Sequence, residues 1–273
     1  MNLADAIDIR LGGSSVQEVR LGAVKIWPTA AQLWTPDDLG ADLLAHVQMS
    51  ELAGAPGSAI TPGDIPDTKG NTWFNVWPGT ATVSAETLAG RKTAVAPTSQ
   101  AQYFGFTPSA MTADCSAYAV VRYPATNEPR VAALQRNAST YHAWAAGVSN
   151  YPYTPLLTYN AVREGHAWAA TYGAATDTGL WTVVELRVIG GVRAEVVCHD
   201  ELAGNLSWVE GPAVSGATAH DIAVSGPYAE AVFVKRLLTS AERAKMFAYL
   251  SHRHQITANM TPGHAWKETP PTV

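Results

Sequence analysis

Between residues 73 and 238 apolar and polar positions alternate in short runs. The clearest cover 101–106, 117–123, 132–136, 142–147, 156–159, 166–172, 181–189, 194–199 and 229–234. A period of two, with Val, Tyr or Trp at every second position, predicts strands lying on a half-buried pleated surface. Gly179, Gly190-Gly191, Gly204-Asn205 and Gly226-Pro227 fall between the runs, where tight turns are needed. Regular short strands joined by such turns predict an all-β sandwich and argue against alternating strands and helices.

The pattern changes at both ends. Ile9-Arg10-Leu11-Gly12 recurs ten positions later as Val19-Arg20-Leu21-Gly22, and Val16, Val24, Ile26 and Trp27 follow in alternating text. Residues 1–27 therefore read as a small β-meander, too few strands to be stable without packing on something else. Residues 28–41 read as a linker with a short helix. It starts at Thr35-Pro36-Asp37-Asp38, a capping residue followed by proline and first-turn acids. Residues 53–72 are rich in Gly, Pro, Asp and Ser and read as loop. Thr239-Ser240-Ala241-Glu242 is a capping box, and Ala244, Phe247, Ala248 and Leu250 continue it at helical spacing. His252, Arg253 and His254 are expected in its last turn, facing the negative end of the helix dipole. Residues 257–273 carry three prolines and no period, and are expected to form an extended tail.

The text from Ile222 to Ile256 resembles the closing segment of concanavalin A-like, laminin G-like jelly-roll domains. There a strand bearing an acid, here Ala229-Glu230-Ala231, precedes a Leu-Thr-Ser-Ala-Glu-Arg helix start and a Tyr249-Leu250 ending. Trp181 in Gly179-Leu180-Trp181-Thr182 is similar to that family's core tryptophan. Residues 190–197 look like its following hairpin, and Tyr118-Ala119-Val120-Val121-Arg122 like its early central strand. The resemblance covers residues 33–256. It implies an antiparallel jelly-roll β-sandwich over 42–256 with one C-terminal helix. The N-terminal text, with Val16, Val19, Leu21, Gly22, Lys25, Ile26 and Trp27, is similar to the starts of tailed-phage virion proteins. That second resemblance implies a virion component, assembled in the host cytoplasm. Val19, Leu21, Ile26 and Trp27 would be its assembly interface.

Composition narrows the chemistry. Of 273 residues 15% are charged and 47% apolar, and the net charge is -5. No Lys/Arg cluster offers a phosphate-binding patch, so a nucleic-acid partner is not expected. No apolar run reaches the ~20 residues of a membrane span. The first residues lack the basic start and apolar stretch of a signal peptide. Cys115 and Cys198 lie in strand text and read as buried free thiols.

A glycoside hydrolase needs two carboxyl groups roughly 5–10 Å apart. Glu185-Leu-Arg187 and Glu195-Val-Val197 each lack a second acid on the same strand, and no Gly-x-Ser-x-Gly is present. The chain is therefore expected not to be an enzyme. No cofactor is expected either; calcium is the one metal for which loop acids (Asp177, Asp200, Asp221) are candidates.

Glycan binding remains. Tyr141, His142 and Trp144, then Tyr151 and Tyr153, are dense beside Asn137, Asn150 and Asn160, and Trp168 and Tyr172 follow. Aromatic platforms with polar neighbours hold sugars. Trp144 and Trp168 equally suit a sandwich core. The expectation is a virion fibre, spike or tail accessory that binds host surface polysaccharide. It would join other virion proteins through its meander and tail, as a homo-oligomer and by preference a trimer. The alternative is a structural decoration or adaptor protein without glycan binding.

Overall fold

The structure, a computed structural model, describes residues 10–11, 14–15, 19–21, 24–27, 32–77, 79–96, 102–109, 112–122, 130–135, 144–147, 156–161, 169–175, 180–198, 207–210, 218–224 and 226–273. In the strands of residues 10–27, 130–175 and 207–210, and at Trp77, Ala194, Val196 and Cys198, it is the backbone that is described. The first strands are β1 (Arg10–Leu11), β2 (Ser14–Ser15), β3 (Val19–Leu21) and β4 (Val24–Trp27). Next come β5 (Leu43–Gln48), β6 (Trp73–Trp77), β7 (Thr82–Leu88), β8 (Arg91–Val95), β9 (Gln102–Phe106) and β10 (Cys115–Arg122). Then follow β11 (Arg130–Gln135), β12 (Trp144–Gly147), β13 (Leu156–Ala161), β14 (Ala169–Ala175) and β15 (Trp181–Ile189). The last are β16 (Arg193–Cys198), β17 (Ser207–Glu210), β18 (Ala219–Val224), β19 (Tyr228–Val234) and the helix α1 (Ser240–Arg253).

Two antiparallel sheets form a jelly-roll sandwich. The first runs β17-β16-β15-β10-β19-β8-β7, with β5 also paired to β19. The second runs β14-β13-β12-β11-β18-β9-β6. The ten-residue repeat at the start of the chain becomes two hairpins in tandem, β1 with β2 and β3 with β4.

Alternation along the strands decides what each face packs against. On β10, Cys115, Ala117, Ala119 and Val121 face the second sheet, and Tyr118 and Val120 face outward beneath α1. The core between the sheets is closed by Trp73, Phe104, Phe106, Ile222, Val224, Tyr228 and Phe233. Phe106 lies 4.8 Å from Trp73 and 5.2 Å from Phe233, centroid to centroid. Cys115 is free and wholly buried there, and burial pushes its thiol up to about 12, so it is not a nucleophile.

α1 covers the outer face of the first sheet. Thr239 caps it, and the Thr239 N–H donates to Glu242 Oε2 at 2.9 Å. Met246, Phe247 and Leu250 pack on Tyr118, Val120, Trp181, Val183 and Val232. Burying each of those three side chains stabilises the helix by about 1.5–3 kcal/mol.

Two expectations change. The linker helix is 3-10 in type over Pro36–Asp42 and is broken by a kink at Gly40 (φ 58°), with the Thr35 N–H donating to Asp38 Oδ2 at 2.7 Å. The final stretch is not an extended tail. It forms a 3-10 turn at Thr257–Asn259 and further turns, buries Met260, and returns to the start of the sandwich. There the Trp34 N–H donates to Pro271 O and the Val273 N–H to Gln32 O. Two of its terminal backbone groups, Pro271 O and the Val273 N–H, are thus paired within the chain.

Candidate functional site

The two outer faces of the sandwich differ in chemistry. On the first sheet, Glu185 is fully buried in β15 opposite Tyr118. A carboxylate there needs partners, because desolvating an unpaired charge is prohibitive. Tyr118 Oη donates to its Oε1 at 2.6 Å, and Arg243 of α1 donates from Nε at 2.9 and 3.1 Å and from Nη2 at 2.6 Å. Burial, reinforced by the carboxylate, holds the Tyr118 hydroxyl well above the usual phenol range, so it stays a donor.

Glu195 of β16 shares this face. It stands opposite Arg187, which places it diagonally from Glu185. The register therefore supplies the second acid that spacing along one strand does not. Yet Glu195 lies between Arg187 (2.5 Å) and Arg193 (2.8 Å). Glycoside hydrolysis needs one carboxyl kept protonated as an acid. Here both carboxylates are bound by guanidinium groups, Glu185 by Arg243 and Glu195 by Arg187 and Arg193. The pair clamps the helix and the hairpin to the sheet.

A second buried carboxylate, Glu230 of β19, has its oxygens 2.7 Å from His46 Nε2 and 2.7 Å from His254 Nε2, and Arg253 Nε donates to it at 2.8 Å. With Glu230 ionised, each imidazole must carry its proton on Nε2. Burial alone would raise the Glu230 carboxyl, but the bonds from His254 and His46 outweigh it and hold it at about 2. His254 thus does more than face the helix dipole: it is buried at the end of α1 and ties that end to β19. Its neighbour His252 contacts Trp266 O at 2.7 Å.

The outer face of the second sheet is different. The pairings set one row across all seven strands: Phe74, Gly105, Asp221, Ala132, Ala145, Asn160 and Ala170. Beside it runs a shorter row, Tyr103, Ala223, Arg130 and Gly147. Tyr172 stands opposite Thr158 on the same face. The intervening positions, His220, Ile222 and Phe104, face the core. At Gly105 a Cβ would come within 2.6 Å of Val76 Cγ2 and 3.0 Å of the Phe74 ring, so only glycine lets β6 lie this close.

Asp221 sits mid-strand in β18 with no exposed surface, not on a calcium-binding loop as expected. Asp177 and Asp200 lie outside the described residues. Among the described residues no group of three or more His, Cys, Asp or Glu side chains could hold a metal ion.

Of the residues predicted to hold glycan, Tyr141, His142, Tyr151, Tyr153 and Trp168 lie outside the described residues. Trp144 opens β12 opposite Ala133, in the register set shared with Val131 and Ile222 on the core side of the sheet. Val19 pairs with Trp27 and Leu21 with Val24 in the second N-terminal hairpin, and Ile26 lies in the same β4. Trp181 is buried in the cluster beneath α1, with the Arg122 guanidinium 5.7 Å from its ring. Sequence reasoning missed the Glu185–Arg243 and Glu230–His46 contacts. The signal was a lone acid inside each run of aliphatic residues, which requires a buried partner.

No protein-family model and no curated protein matches the chain. Among solved structures it is similar to the binding domain of botulinum neurotoxin DC in complex with SialylT, at 8% identity and a TM-score of 0.47, over 75% of this chain and 50% of that one. It is also similar to carbohydrate binding module CBM66 from Bacillus subtilis, at 16% identity and 0.38, over 66% and 96%. A third likeness is to the Caenorhabditis elegans galectin LEC-6, at 10% identity and 0.36, over 48% and 88%. The chain spans about half the length of the neurotoxin binding domain.

Proposed function

We propose that the chain is a non-enzymatic, lectin-like part of a virion that binds host surface polysaccharide on the β11–β14 half of the outer face of its second sheet. The N-terminal hairpins attach it to other virion proteins, as one subunit of a homo-oligomer. The observation that carries the glycan reading is the part of that seven-strand row on β11–β14. A sheet face that packs on a helix is lined with bulky aliphatic side chains, as the first sheet is beneath α1. On β9 and β18 the second sheet's outer face is covered, with Gly105, Asp221 and Ala223 buried, but on β11–β14 the row holds Ala132, Ala145 and Ala170 beside Asn160, with Arg130 and Gly147 next to them. Small residues let a flat sugar ring approach the backbone, and a few polar groups fix its orientation. The aromatic-rich connections 136–143 and 162–168 join strands of this same half of the sheet.

The test is binding of the purified chain to an array of host surface polysaccharides. Asn160→Ala is expected to weaken the bound glycan about tenfold, the loss of one good hydrogen bond. Ala145→Leu should weaken it more by filling the row. Trp144→Ala, on the core side, should lower stability and leave affinity in the folded fraction unchanged. Absence of binding to every host polysaccharide would leave the structural decoration or adaptor role.

A further inference from the structure

The chain enters and leaves the sandwich at one place. Leu33 and Thr272 face each other in an antiparallel bridge. The Trp34 N–H donates to Pro271 O at 2.8 Å and the Val273 N–H to Gln32 O at 2.9 Å. Such a two-bond ribbon is weak alone, but both sides are pinned. Trp34 is 4% exposed, and its ring meets Tyr249 of α1 edge-on, centroids 6.3 Å apart at 80°. Pro271 is buried as well. Leu33 and Val273 keep 57% and 66% of their surface exposed beside this point.

Only residues 28–31 separate the end of β4 from Gln32. A fully extended chain of that length spans at most about 17 Å. Whatever fixes Gln32–Trp34 therefore limits where the second hairpin can lie. We infer that the ribbon of Gln32–Trp34 with Pro271–Val273 is a positioning clasp that sets where the N-terminal hairpins leave the sandwich. The last three residues thereby orient a segment more than two hundred positions away in sequence. The biological meaning of the clasp rests on the attachment role proposed above; the clasp itself stands on the geometry of the ribbon.

The test needs no particle. Nitroxide labels are placed at Ser15→Cys and Lys69→Cys in a Cys198→Ala background, where buried Cys115 stays unlabelled, and their separation is measured by pulsed electron resonance. The intact chain should give a narrow distance distribution. Deleting residues 271–273 should broaden it at least twofold and speed exchange of the Trp34 amide by tenfold or more. Val273→Pro removes one donor and should give a smaller change of the same sign, which keeps the test open if the deletion fails to fold. A distribution equally narrow in the folded deletion, or already broad in the intact chain, would overturn the clasp. Particle incorporation is a separate readout: a clasp without incorporation would count against the attachment reading alone.

Discussion

Arg243→Ala is expected to lower the unfolding free energy by about 3–5 kcal/mol, the usual cost of leaving one partner of a buried ion pair alone. Arg243 and Glu185 have side chains 6% and 0% exposed, and no other cation lies within salt-bridge distance of Glu185 among the described residues. The stranded carboxylate would keep the Tyr118 hydrogen bond and lose every charged donor. Urea unfolding at neutral pH checks the loss as a fall in midpoint with an unchanged slope. The double replacement Glu185→Leu with Arg243→Met should recover most of it, because an apolar pair of similar volume needs no compensation. Full recovery would mean that the clamp selects this packing of α1 without adding net stability. A loss under 1 kcal/mol for Arg243→Ala would mean that water reaches Glu185.

The second large effect is a pH dependence centred on Glu230. Its carboxyl is held at about 2 against a reference of 4.5, with hydrogen bonds from His254 and His46 outweighing burial. The folded value is the lower one, so the contribution is fully present above the unfolded value. It is lost as pH falls from roughly 4.5 toward 2. A shift of that size corresponds to about 3 kcal/mol. Glu242 is also held at about 2, chiefly by its hydrogen bond from Arg236, but that pair lies near the surface, where salt screens it. Urea titrations at pH 7, 4.5 and 3 in 0.5 M salt should therefore isolate Glu230. Glu230→Gln should be less stable at pH 7 and should flatten the acid limb. An acid limb identical in the two proteins would assign it to other carboxylates.

How much of this could be read from the sequence depended on burial. β15 matches its expected span because Trp181, Val183 and Glu185 alternate with their neighbours in a run without glycine or proline. β5, Leu-Leu-Ala-His-Val-Gln, was not legible as a strand: it is covered on both faces except at Gln48, and double burial removes the period-two signal. β18 hid for the same reason. The β7–β8 hairpin turns at Ala89-Gly90 with φ of 51° and 73°, a left-handed turn without the usual Asn-Gly signature. α1 was legible to its cap, since a capping box is a local signal, but the partners of Arg243 and His254 lie 58 and 24 residues away.

The candidate site was the least legible part. Its residues are three alanines and an asparagine, Ala132, Ala145, Ala170 and Asn160, that carry no pattern until the strand register aligns them. The dense aromatics at 141–153 drew attention instead, and of them the described residues include Trp144 alone, at a register position shared with Val131 and Ile222.

The most direct measurement is a backbone chemical-shift map of the isotope-labelled chain titrated with a polysaccharide that it binds. Glycan held on the outer face of the second sheet predicts shifts that start at Arg130, Ala132, Ala145 and Asn160 and leave α1 and β15 still. Shifts confined to the α1 side, or glycan bound with that row unmoved, would contradict the account.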